Sequence, residues 1–319
     1  MTKVITNVIL AVTVALPLVA LTAAPSFAQN ASETTDDADW ARFINPEELI
    51  GLIDAEQDLQ IIDIRSEKYV TKGVIPGAVW VPFDEWRGPT ERPGQVPTEA
   101  EFEAFLGENG FDLDAPIVVH NHSGKTIQTG RSAIVYWLLK TGGADQVAIL
   151  DGGFKAWAAA ELPQADAPVV PEPTEVDLTF RNEWWADPMD IFAITSGQVD
   201  GAILDARLDA HVRKSAETGS PMMSMPMAQF VPASLFTGPM SSRRMSAEGR
   251  ASFLEDLADR GIDDETEFLI SVCQTGELSA LSWFYASEIV GIENVRYYPD
   301  ALKGWESDGG VMFGMYATE

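Results

Sequence analysis

Phe268-Leu269-Ile270-Ser271-Val272-Cys273-Gln274-Thr275-Gly276-Glu277-Leu278-Ser279-Ala280 is an apolar run that passes directly into the chain's one cysteine and then into a short turn. A brief apolar, β-branched segment bounded by turn residues reads as a buried strand, expected over 267–272. The apolar, aromatic-rich stretch 279–290 has the length and spacing of a helix, opening near Ser279. A side chain at the end of such a strand faces the loop N–H groups and the positive end of the following helix. For a thiol this setting favours the anion, so the Cys273 pKa is expected to fall by several units from ~8.5. Gly276 allows the tight curvature. Elsewhere a lone cysteine serves as a small buried apolar residue or pairs with another chain. The strand-loop-helix position points instead to a reactive thiol.

Outward from this stretch the sequence repeats itself. Ile61-Ile62-Asp63-Ile64-Arg65 recurs as Ile203-Leu204-Asp205-Ala206-Arg207, and Gly153-Phe154-Lys155-Ala156-Trp157 as Ala301-Leu302-Lys303-Gly304-Trp305. Gln128-Thr129-Gly130 lies opposite Gln274-Thr275-Gly276 in the same register, with offsets drifting from 142 to 148 residues. Strands are expected at 60–64, 116–120 and 147–150 in the first copy and at 202–205, 267–272 and 294–298 in the second, with a helix over 132–140 matching that at 279–290. Strands alternating with helices define an α/β fold of two domains, each a parallel sheet with helices on both faces. Ligands bind such sheets at the carboxyl ends of the strands. The expected domains are 40–162 and 181–312, joined by a linker over 163–180 that contains Pro163, Pro168, Pro171 and Pro173.

Residues 1–28 read as a secretory signal peptide, with Lys3, an apolar run from Val8 to Leu21 broken by Pro17, and small residues in Ser26-Phe27-Ala28. A membrane anchor needs ~20 unbroken apolar residues, so the mature chain is expected to be periplasmic or secreted. It carries 21 Lys and Arg against 49 Asp and Glu, a formal charge of −28. Long-range repulsion argues against nucleic acid or an anionic membrane surface as a partner.

The ordered set Asp63-Ile64-Arg65, Gly73-Val74-Ile75-Pro76-Gly77-Ala78 and Leu150-Asp151-Gly152-Gly153-Phe154, with a cysteine in the second copy only, resembles the tandem-domain rhodanese and mercaptopyruvate sulfurtransferase family. The resemblance covers nearly the whole mature chain. It implies a first domain without catalytic activity and a second in which Cys273 takes a sulfane sulfur from thiosulfate or 3-mercaptopyruvate, holds it as a persulfide and passes it to cyanide or a thiol. A protein acceptor fits the same chemistry, and no metal or organic cofactor is implied. The loop residues Gln274, Thr275, Gly276, Glu277, Leu278 and Ser279 form the expected substrate site. Arg207, in the Asp-x-Arg position, is either a partner for the anionic donor or a structural partner of a nearby acid. Arg213 lies where mercaptopyruvate-using members place a second arginine. Glu277 departs from the basic loop of thiosulfate-using members and is expected to weaken dianion binding.

A rhodanese-like phosphatase needs an arginine six positions after the cysteine, where Ser279 stands. The competing non-enzymatic reading is a binding or sulfur-delivery module for a partner protein. In the first copy the loop His120-Asn121-His122-Ser123-Gly124-Lys125-Thr126 is longer, and alignment on Gln-Thr-Gly puts Ile127 at the cysteine position. His120 and His122 lack a third ligand, so a hydrogen-bonded loop is expected in place of a metal site. Met222, Met223, Met225 and Met227 crowd an insertion read as an adaptable lid over the pocket rather than a copper site.

Overall fold

A computed structural model describes residues 40–55, 58–235, 245–263 and 266–315. The signal peptide expected over 1–28 lies outside the described residues. In the first half β1 (Phe43–Ile44), β2 (Gln60–Asp63), β3 (Ala78–Trp80), β4 (Ile117–His120) and β5 (Val147–Leu150) form an all-parallel sheet ordered β1-β5-β4-β2-β3. In the second half β6 (Gly201–Asp205), β8 (Gln229–Phe230), β9 (Phe268–Val272) and β10 (Val295–Tyr297) form another, ordered β10-β9-β6-β8. The antiparallel ribbon β7 (Met222–Ser224) with β11 (Phe313–Met315) stands apart. The helices are α1 (Pro46–Asp54), α2 (Glu67–Val70), α3 (Glu99–Glu108), α4 (Thr126–Thr141) and α5 (Gly153–Ala159), then α6 (Pro188–Thr195), α7 (Asp209–Thr218), α8 (Ala247–Asp259), α9 (Glu277–Trp283) and α10 (Ala301–Ser307).

The longer strands fall where the apolar runs place them. Strands of two or three residues, such as β1 and β8, are too short to carry a period. Helix α4 begins six residues before its expected start because Thr129, Gly130 and Ser132, which lack large apolar side chains, are buried as part of its packing face. Helix α9 begins at Glu277, so Leu278 and Ser279 belong to its first turn, and it continues as a π-helix over Phe284–Val290. The segment 163–180 does not hang free. Val74 donates to the Ala165 carbonyl, Val169 to that of Ala78 and Thr174 to that of Gly107, which straps the segment to the first domain.

Helices α4 and α9 pack against each other across the two halves. A methyl group at Gly130 would collide with the Glu277 carbonyl, so only glycine allows this approach. One apolar core runs through both domains, from Phe43, Phe83 and Trp137 to Trp283, Phe284 and Cys273. Smaller cores cover the far face of each sheet. Within the shared core Glu288 accepts from Tyr136 Oη at 2.7 Å and Lys140 Nζ at 2.7 Å, and pairs with Arg42 Nε at 3.1 Å. Burial pushes its carboxyl up, but Lys140, Tyr136 and Arg42 together outweigh burial and hold it below the ordinary 4.5.

A depressed native pKa contributes stability above the unfolded value and loses it as pH falls through the folded value. Glu288→Gln is expected to lower the unfolding free energy by about 3 kcal/mol near neutrality, by stranding the two cations. Urea melts should also show that the variant loses less stability than wild type once the pH drops below 4.5. Parallel pH profiles would rule out the assigned role of Glu288.

Candidate active site

In-register pairing of β6 with β9 sets Asp205 beside Val272 and delivers Cys273 to the carboxyl edge of the second sheet. The sulfur accepts from Gly276 N–H at 3.2 Å and lies 3.3 Å from Ser279 Oγ, whose proton it shares with the Gly276 carbonyl at 3.1 Å, and the backbones of Thr275 and Ser279 also act on it. Gly276 takes φ +105°, which turns its amide inward. A side chain there would strike the Tyr297 hydroxyl. Burial keeps the Tyr297 phenol protonated, well above its ordinary value. Of the expected loop residues, Gln274 and Thr275 are exposed, Glu277 is half-buried, and Gly276, Leu278 and Ser279 are buried.

Cys273 is 1% exposed. Burial pushes its thiol pKa up, and the bonds from Ser279, Thr275 and Gly276 offset this only in part. The expectation of a strongly acidic thiol is therefore corrected. In the closed loop, desolvation of the anion outweighs the donors aimed at it.

Two expected cations do not serve the loop. Arg207 is 5% exposed and binds Asp205 through Nε at 2.9 Å and Nη2 at 2.6 Å, with a further bond from Nη2 to the Met223 carbonyl. Arg65 makes the same fork with Asp63 in the first domain, so Arg207 is the structural partner of an acid. Arg213 is exposed on α7 and forms no hydrogen bond or ion pair with the loop. The cation that holds the loop comes from the first domain and was not singled out by sequence reasoning. Arg87 Nη2 donates to the Thr275 carbonyl at 2.6 Å, and Nη1 lies 3.5 Å from Glu277 Oε1. Glu277 thus faces a guanidinium, which offsets the repulsion expected of it. The available signal was an arginine in the glycine- and proline-rich stretch 87–97 of a chain poor in cations.

Backbone bonds fix the true correspondence between the two loops. Phe154 N–H donates to the Asn121 carbonyl at 2.9 Å as Leu302 N–H does to that of Cys273 at 2.8 Å, and Lys155 meets His122 as Lys303 meets Gln274. Asn121, not Ile127, stands where the cysteine is. Gln128-Thr129-Gly130 is helical, whereas Gln274-Thr275-Gly276 is loop, so that motif match was accidental. The Gln128 amide oxygen accepts from the Ser123 amide at 2.8 Å and its hydroxyl at 3.0 Å, which closes the first loop from within. His120 is fully buried, with Nε2 3.8 Å from Asp63, and burial holds it below its ordinary pKa. His122 stacks on Tyr69 at 3.7 Å. Among the described residues no cluster of three or more His, Cys, Asp or Glu is placed to hold a metal. In the methionine insertion Met222 and Met225 are buried, while Met223 and Met227 are exposed.

Two parallel-sheet domains, with a single thiol seated in the loop after a central strand of the second, define the rhodanese class of fold. The Rhodanese-like domain family matches residues 45–160, the first repeat. A thiosulfate sulfurtransferase of Pseudomonas aeruginosa is 30% identical over 274 residues, covering 84% of this chain and 95% of the relative. One from Azotobacter vinelandii is 28% identical over 271 residues, covering 85% and 96%. The crystal structure of SseA from Escherichia coli, a 3-mercaptopyruvate sulfotransferase, superposes with a TM-score of 0.67 at 23% identity over 82% of this chain and 98% of that one. The chain belongs to the rhodanese family of sulfurtransferases.

Because the Ser279 hydroxyl counteracts the rise in the Cys273 pKa, Ser279→Ala is expected to slow iodoacetamide alkylation of Cys273 several-fold at neutral pH. The midpoint of its pH–rate curve should move upward. An unchanged curve would show that the hydroxyl does not stabilise the thiolate.

Proposed function

We propose that the chain moves a sulfane sulfur from a small anionic donor, thiosulfate or 3-mercaptopyruvate, to a thiophilic acceptor through a persulfide on Cys273. The observation that carries this reading is the seating of the chain's one thiol against Gly276 N–H and Ser279 Oγ at the end of β9. With thiosulfate, the Cys273 thiolate attacks the outer sulfur. A new S–S bond forms, the donor's S–S bond breaks, and sulfite leaves with the electron pair. Cyanide then attacks the outer sulfur of the persulfide, thiocyanate departs and the thiolate returns. Each half is a displacement at sulfur, and the covalent intermediate divides one transfer into two. The amides that face the resting sulfur are suited to hold the anionic persulfide. The thiosulfate sulfurtransferase name of the 30% identical relative supports thiosulfate as the first donor to try.

At 1% exposure of Cys273, a donor reaches the sulfur only by displacing part of the loop around it, and the Arg87–Thr275 bond is one tie on that loop. The expected leader extends the proposal to an exported enzyme. N-terminal sequencing of the mature protein should begin near residue 29, and an intact Met1 in an extracellular or periplasmic fraction would refute the leader.

Purified protein incubated separately with thiosulfate and 3-mercaptopyruvate should gain the mass of one sulfur with the true donor. The adduct should be absent in Cys273→Ser and removed by cyanide. An adduct that persists in the variant, or none with either donor, would refute the persulfide carrier and favour the partner-binding module.

A further inference from the structure

In a chain with more than twice as many acids as cations, an arginine without an acidic partner is notable. Arg65, Arg92, Arg181, Arg207, Arg260 and Arg296 each pair with an aspartate. Arg131 does not. Its guanidinium lies 5.0 Å from the centroid of the Phe83 ring, and its buried Nε has no hydrogen-bond acceptor. Arg87 lies over the same ring at 5.4 Å, and its buried Nη1, although near Glu277, also lacks a hydrogen bond. Two guanidinium groups thus share one aromatic ring, each with a buried N–H nitrogen left unsatisfied. Two cations gathered at one ring repel each other, and an unpaired donor on a buried charged group is more costly than a neutral one. An anion held by both would lower these penalties, and Arg forks are suited to oxyanions.

The pair stands beside the reactive loop. Arg87 binds the Thr275 carbonyl, two residues after Cys273. Arg131 follows Gly130, which touches the Glu277 backbone. We infer that Arg131 and Arg87 of the first domain form an anion subsite over Phe83 that receives the oxyanion end of the sulfur donor. Arg207 and Arg213 of the second domain have no part in it. The inference rests on the sulfurtransferase reading above. The domain without a nucleophile then supplies the charge that selects the donor, while the second domain supplies the sulfur carrier.

The test separates binding from transfer. Cys273 alkylation by iodoacetamide is followed in full-length protein with added sulfate or thiosulfate against chloride at equal ionic strength. Both oxyanions should slow alkylation of wild type saturably. Arg131→Ala should need at least tenfold more of either, Arg131→Lys should recover part of the effect, and Arg213→Ala should match wild type, all at unchanged thermal midpoints. In turnover with thiosulfate, Arg131→Ala should raise KM about tenfold with kcat nearly preserved. Equal protection of wild type and Arg131→Ala would overturn the subsite, as would loss of protection in Arg213→Ala. Sulfate protection that depends on Arg131 in a protein forming no persulfide would keep the subsite and refute only the transfer reading.

Discussion

The close contact of α4 with α9 is the constraint on which the molecule depends. Gly130 lets the α4 backbone rest on the Glu277 carbonyl, and Glu288, held by Lys140, Tyr136 and Arg42, fixes the far end of the same interface. The aromatic side chains between them close a core to which both sheets contribute. A buried carboxylate with cations from the opposite domain adds little net energy, yet leaving its partners unpaired is expensive. Its effect is to make one relative placement of the domains much better than its neighbours. The loop that follows Cys273 ends at the same contact, so the first domain bears on the position of Glu277 and, through it, on the curvature around Cys273.

The two loops show how one backbone plan supports two chemistries. The bonds Phe154–Asn121 and Leu302–Cys273 are the same bond in each copy, and the Asp-x-Arg fork is repeated in full. What differs is the side chain at the focus of the loop. In the second copy a sulfur collects the inward N–H and O–H groups. In the first, the Gln128 amide oxygen collects the Ser123 amide and hydroxyl. A polar loop lacking a nucleophile can turn its inward donors to a side chain of its own, because unsatisfied buried donors are costly.

Much of this was legible in the sequence. The apolar runs placed β2, β4, β5, β6, β9 and β10, and the strand-to-loop junction placed Cys273, since these features depend on neighbours in the chain. Arg87 was not legible, because its partner Thr275 is 188 residues away and nothing local marks the contact. Arg207 was ambiguous for a related reason. The motif Asp-x-Arg states that a fork is available but not whether Asp205 or a ligand fills it. The match of Gln128-Thr129-Gly130 to Gln274-Thr275-Gly276 misled because three identical residues outweighed the hydrogen bonds that distinguish a helix from a loop. The thiol pKa was misjudged because the donors are local and visible, whereas burial is a property of the assembled core.

Burial of Cys273 and the donors around it are two effects of one arrangement. The Thr275, Gly276 and Ser279 groups that stabilise negative charge on the sulfur belong to the segment that covers it. While the loop is shut, removal from water outweighs their attraction and the thiol keeps its proton. Any water or donor that reached the sulfur would lower the desolvation penalty, and the same N–H groups would then favour the anion. Reactivity and access are therefore coupled through the segment 275–279 itself.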